Sequence, residues 1–251
     1  MASEVRIIAI EGIPEVHPGD DLPAMILDAA RAQGLAFEPG DVVVVTQKVV
    51  SKAEGRIVAL DDVEPGPFAL QIAEDWEKDA RVVETVLLES ARIVRMDHGV
   101  MICETKHGFI CANAGVDASN LEDLGTVVLL PIDPDGSAEG IRARIEAATG
   151  VAPAVIITDT FGRPWREGHV NFAIGVAGME PVLNYAGQVD PAGYELRVTQ
   201  MAVADELAAA AELAHGKLDR VPVAVVRGYA YPAGCGSSKQ LLRDPERDLF
   251  R

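Results

Sequence analysis

The chain has 251 residues, 49% hydrophobic and only 5% aromatic, enough for one large domain or two small ones with a well-buried core. Its formal net charge of −17 makes nucleic acid and anionic membrane poor partners for the surface as a whole. No apolar run reaches the ~18–20 residues that span a bilayer. The N-terminal Met-Ala-Ser-Glu-Val-Arg lacks the regions of a signal peptide, so a cytoplasmic location is the expectation. Cys103, Cys111 and Cys235 form no CxxC pair, so neither a disulfide framework nor a thiolate zinc site is supported.

Taken in chain order, "VRIIAIE" (5–11) predicts a strand and "DDLPAMILDAARAQG" (20–34) a helix ending at Gly34. "GDVVVVTQKVVSKAEGR" (40–56) reads as a continuous apolar strand, covered on both faces, that leads into a polar turn. Residues 68–91 read as helical, in one or two pieces. "GVMICETKHGFICANAG" (99–115) is two apolar runs around His107-Gly108, a hairpin signal. "GTVVLLP" (125–131) predicts a strand, and Ser137 caps a helix that ends at Gly150. "APAVIITD" reads as a strand, "TQMAVADELAAAAELAHG" (199–216) as an alanine-rich helix stopped by Gly216, and "VPVAVVRG" (221–228) as a strand. Strands and helices alternate irregularly and a hairpin intervenes. That predicts a mixed α/β (α+β) architecture rather than a regular doubly wound sheet. No linker divides residues 1–251, so they are treated as one catalytic unit, possibly of two lobes.

Several common motifs are missing. There is no Walker A loop, no HExxH and no G-x-S-x-G. "GCGSSK" (234–239) lacks the third glycine of a dinucleotide fingerprint. Phe161 stands where an aspartyl-phosphate enzyme carries its second Asp.

What remains is hard-oxygen chemistry. Asp159 and Thr160 end an apolar run, where α/β proteins collect ligands. They read either as donors for Mg²⁺ or Mn²⁺ or as a local Asx or ST turn. "NAGVDASN" (113–120) offers Asp117 and Asn120 after a strand, as a metal carboxylate and a phosphate or base contact, or as a helix cap. Two carboxylates from separate loops converging on one cation is the usual way to hold Mg²⁺ at a phosphate. Gln47, Lys48, Ser51, Lys52 and Arg56 follow a buried strand and suit phosphate oxygens. Arg163 and Arg166 suit a carboxylate or phosphate clamp, or pairing with Asp159 or Glu167. The histidines show no metal spacing. His215 sits at a helix end, where a cation is favoured.

Together, "EGIPEV" (11–16), "GDVVVVTQKVVSKAEGRIV" (40–58), "NAGVDASN", "LLPIDPDGSAEGIRARI" (129–145), "VIITDTFGRPWREGHVNFAIG" (155–175) and "VADELAAAAELAHG" (203–216) cover essentially the whole chain. In these segments the chain resembles the coenzyme F420-0:L-glutamate ligase family. The resemblance implies a two-lobed, intertwined homodimer. It implies that GTP would phosphorylate the terminal carboxylate of F420-0 and that L-glutamate would attack the acyl phosphate, with Mg²⁺ or Mn²⁺ required. It implies Asp117 and Asp159 as ligands of a first ion and Thr160 of a second. It also implies nucleotide contacts at Ile13, Pro14, Glu15, Val16, Gln47, Lys48, Lys52, Asn120 and the turn His215-Gly216-Lys217. Some relatives carry an acidic metal ligand where this chain has Lys217, so the second ion is absent or is completed by water or phosphate oxygens. Arg163 and Arg166 are candidate substrate anchors that the resemblance does not fix. Some relatives continue into a flavin nitroreductase-like domain, a junction expected near "DPERDLFR". The alternatives are a nucleotide-binding module of the same fold without turnover and a metal-dependent amide ligase for another carboxylate.

Overall fold

The computed structural model describes residues 4–118 and 125–248. Among them, a five-stranded sheet runs in the order β1-β12-β2-β8-β9. Its strands are β1 (Arg6–Ile10), β2 (Val42–Thr46), β8 (Ala154–Arg163), β9 (Arg166–Ala177) and β12 (Val223–Arg227). Only β2 and β8 are parallel, with Thr46 opposite Thr158. The other pairs are antiparallel. This is the mixed α/β architecture expected from the alternation of elements.

The four valines of β2 are fully buried because the sheet is covered on both faces. Val43 and Val45 pack with α1 (Leu22–Ala32) and α5 (Pro134–Thr149), while Val42 and Val44 pack with α6 (Val203–His215). Each buried valine is worth roughly 1.5–3 kcal/mol, which is why the run carries no polar alternation. On β9, Gly175 lets α5 lie directly on the sheet. A Cβ there would come within 2.3 Å of the Pro134 carbonyl oxygen.

A second group of elements builds its own small cores. The helices α3 (Pro67–Trp76) and α4 (Ala80–Glu89) pack against β5 (Val100–Thr105) around Ile72, Val86, Met101 and Cys103. β5 is the middle strand between β4 (Ser90–Asp97) and β6 (Ile110–Ala112). Leu60, Val127 and Leu129 form a further cluster beside the ladder of β3 (Ile57–Ala59) and β7 (Thr126–Val128). The two-piece helix over 68–91 and the hairpin at His107-Gly108 are as read from the sequence. No helix of the described residues is long and apolar enough to cross a membrane.

Three expectations are corrected. The "polar turn" after β2 is the helix α2 (Gln47–Ala53), which starts without a loop. Val50 anchors it in the core, and Lys48 and Lys52, four apart, share one face. Helix α5 begins at Pro134, capped by Asp133, whose Oδ1 accepts the Gly136 amide at 3.1 Å. Ser137 instead donates to the Asp133 carbonyl at 3.0 Å and to Glu54. Finally, Asp159 and Thr160 do not end a strand. β8 continues to Arg163 and folds back as β9.

Candidate functional site

The C-terminal end of β2, the middle of β8 beside it, the turn that follows β1, the end of α6 and the segment that leads into β12 all meet on one side of the sheet. There they line a cavity of about 1220 Å³. This is where open α/β sheets place their ligands. Every predicted site residue among the described ones lines it, except Ser51, Arg56, Arg163 and Arg166; Ser51 is fully buried, and Arg56 turns to the Leu130 carbonyl and Glu89. Asn120 lies outside the described residues.

Local structure explains each position. After β1, Gly12 takes a positive φ of 79° and turns the chain. Ile13 and Val16 then drop their side chains into the core, leaving Pro14 and Glu15 exposed. From α2, Lys52 pairs with Glu15 and Lys48 reaches Asp117 at 2.8 Å. Gln47 is buried and its amide donates to Ser51 Oγ at 2.7 Å and to the Leu129 carbonyl at 3.1 Å.

Asp117 is presented by a tight bend. Asn113, Ala114 and Gly115 all have positive φ, at 53°, 51° and 72°. A side chain at Gly115 would strike Leu130 at 2.8 Å. Two left-handed non-glycine residues in a row cost of order 1–3 kcal/mol each. The bend is held by reciprocal main-chain bonds between Asp117 and Val128.

Asp159 and Thr160 are positioned by a bulge. The register of β8 against β9 shifts between Ile157 and Thr158. The Ala173 amide at this irregularity is accepted by Asp205 of α6 at 2.9 Å. Beyond it, Asp159 accepts the Thr160 amide at 2.8 Å. Thr160 Oγ1 donates to Asn171 Oδ1 at 2.8 Å, and Asn171 Nδ2 donates to Glu212 Oε2 at 2.8 Å.

Burial, with the nearby Asp117 adding repulsion, pushes the Asp159 carboxyl up to about 6. Its Thr160 amide bond and the positive charges of Lys48 and Lys217 pull the other way. No cluster of three or more His, Cys, Asp or Glu side chains surrounds one point among the described residues. Two carboxylates and a hydroxyl nevertheless fit Mg²⁺ or Mn²⁺, which keep waters and take further oxygens from phosphates.

His215 departs from expectation. It is 1% exposed, and burial pushes its ring down to about 4, against a weaker contact with the Val44 main chain. It is therefore neutral, not the helix-end cation that its position suggested. Gly216 follows with φ 58°, and a Cβ there would collide with Asp219 at 1.9 Å. Lys217 lines the cavity as a cation. Arg163 and Arg166 lie opposite each other at the tip of the β8–β9 hairpin. There Arg163 donates to the Glu167 carbonyl at 2.7 Å.

Glu212, Asn171, His169 and Arg220 also line the cavity and were not singled out from sequence. Asn171 left a trace, as the one amide inside the apolar run "VNFAIGVA". Glu212 left none, because a glutamate in an alanine-rich helix reads as solvated.

The site thus gathers acidic and basic side chains from distant segments of a mixed α/β protein into one cavity. Comparison with known proteins gives the chain a family. Residues 12–228 match the model of F420-0:Gamma-glutamyl ligase. The chain is 47% identical to the Coenzyme F420:L-glutamate ligase of Methanothermobacter thermautotrophicus, over 98% of this chain and 99% of that protein. It is 44% identical to the proteins of the same name from Methanopyrus kandleri (97% and 98% covered) and Archaeoglobus fulgidus (98% and 96%). The chain belongs to the F420-0:gamma-glutamyl ligase family.

Proposed function

We propose that this protein joins L-glutamate to coenzyme F420-0 in a reaction driven by GTP and dependent on Mg²⁺ or Mn²⁺. The names of its relatives support the glutamate and F420 parts of this reading. The observation that carries the remainder is the pairing, in one cavity, of two close carboxylates with the lysines of α2 and Lys217.

The terminal carboxylate of F420-0 attacks the γ-phosphorus, giving an acyl phosphate and GDP. The glutamate amine then attacks the acyl carbon and phosphate leaves. Such chemistry is mostly positioning and charge neutralisation. Asp117 and Asp159 would hold the ion, and Thr160 would serve a second. The ion, when bound, neutralises phosphate oxygens. Lys48, Lys52 and Lys217 bind phosphate as point charges. Lys48, which contacts Asp117 at 2.8 Å, would lie beside the ion and could serve a phosphate oxygen there. The segment Ile13, Pro14, Glu15 and Val16, Gln47 and the turn His215-Gly216 would contact the nucleotide from the cavity wall, with Asn120 a further contact that the resemblance implies. Arg163 and Arg166, at the hairpin tip, meet only a part of the substrate that projects from the cavity.

The test is incubation with F420-0, GTP, L-glutamate and Mn²⁺, read by mass spectrometry for an added glutamyl residue. Asp159→Ala is expected to lower the rate roughly 10²-fold or more. GDP binding without product would leave a nucleotide-binding module. Product from another acid alone would point to a different carboxylate substrate.

A further inference from the structure

The cavity is lined by four carboxylates: Glu15, Asp117, Asp159 and Glu212. Glu15 pairs with Lys52 and Asp117 with Lys48. Asp159 accepts the Thr160 amide and lies in the field of Asp117, Lys48 and Lys217. Glu212 stands apart. Its Oε2 is fixed by the Asn171 amide at 2.8 Å. The one basic side chain within 4 Å of it among the described residues is His215, whose Nδ1 is 3.7 Å from Oε2. Burial keeps that ring neutral. Among the described residues, no lysine or arginine pairs with Glu212, and Oε1 has no hydrogen-bond partner. The side chain is 32% exposed on the cavity wall.

We infer that Glu212 binds the ammonium group of the incoming amino acid and removes its proton, as the general base of amide formation. This rests on the ligase reading above and assigns a subsite within it.

The chemical need is definite. An amino acid at neutral pH is an ammonium ion with no lone pair to attack an acyl phosphate. A cavity lined with lysines repels that ion everywhere except at a carboxylate whose charge is not already matched. The position suits the role. Asn171 joins Glu212 to Thr160 through two hydrogen bonds of 2.8 Å each. The amine is thereby held a small molecule's width from the Asp159–Thr160 pair, where the acyl phosphate forms. One ammonium proton passes to Glu212 Oε1. The freed lone pair forms the C–N bond, and the acyl C–O bond breaks, its electrons leaving with phosphate. Phosphate takes the second nitrogen proton, and Glu212 returns its own to solvent.

The test is Glu212→Gln, whose side-chain oxygen still accepts from Asn171 but carries no charge. Hydroxylamine is unprotonated at neutral pH, so it traps an acyl phosphate without a base. We expect kcat/KM for glutamate to fall roughly 10²–10⁴-fold, while GTP-dependent hydroxamate formation from F420-0 stays within about threefold of wild type. Mn²⁺ binding, read by paramagnetic resonance on the protein alone, stays unchanged. Equal loss of hydroxamate and glutamate products, or weaker Mn²⁺ binding, overturns the assignment in favour of a role at the phosphate or the ion. Unchanged glutamate kinetics overturns it as well. A wild-type protein that forms neither hydroxamate nor glutamyl product rejects the ligase reading itself, and this subsite with it.

Discussion

Asp159 and His215 line the same cavity and titrate in opposite directions. The Asp159 carboxyl lies at about 6, raised from 3.8, chiefly by burial. The folded protein therefore takes up its proton first, and the stability that this group contributes is complete below about 3.8 and lost as pH rises through about 6. The His215 ring lies at about 4, lowered from 6.5, again by burial. The unfolded chain takes that proton first, so the contribution of His215 is complete above 6.5 and lost as pH falls through about 4. The two oppose each other in one window. In metal-free protein, Asp159→Asn should steepen the loss of stability between pH 6.5 and 4, and His215→Gln should flatten it. Thermal melts in chelator across that range check both. At this scale Asp117, Asp159, Thr160 and the α2 lysines were legible, because each interrupts or directly follows an apolar run. Glu212 was not, since nothing in "AAELAH" distinguishes a glutamate facing water from one facing a ligand cavity.

Among the elements, the join between β12 and the loop before β2 carries a buried ion pair. Asp41 is fully buried. It accepts from Arg227 Nε and Nη2, both at 2.8 Å, and from the Glu38 amide at 2.8 Å. Removing one partner of such a pair strands the other. Arg227→Met should lower the unfolding free energy by about 3–5 kcal/mol, and Asp41→Asn added to it should recover part of that loss. Denaturant titration of the single and double variants is the measurement. Existence and type of the long elements were readable from periodicity, but two junctions were not. The passage from β2 to α2 has no loop residues to mark it. The bulge in β8–β9 depends on Asp205, which is distant in sequence and caps the Ala173 amide.

Across the molecule, the excursion between β9 and α6 exposes apolar side chains that its own fold does not cover. Val198 is 88% exposed, Val189 64% and Tyr194 62%. We propose that these side chains meet a second copy of the chain, in the homodimer that the family resemblance implies. Light scattering should then give about twice the 26.7 kDa of one chain, and Val198→Glu with Tyr194→Asp should shift it toward the monomer. Two copies of net charge −17 repel each other, so raising the salt concentration should favour the dimer if these apolar side chains join it.

The sequence by itself determined the α/β class, most of the elements and the family. These rest on local features, namely apolar period, glycine stops and contiguous motifs, which survive without knowledge of what packs on what. Tertiary structure alone decided that Glu212 and Asn171 join Thr160, that His215 is buried and neutral, and that Arg163 and Arg166 stand at a hairpin tip away from the cavity. Each of these depends on distances between residues far apart in the chain and on the water that packing excludes, and neither quantity is written in the order of the residues.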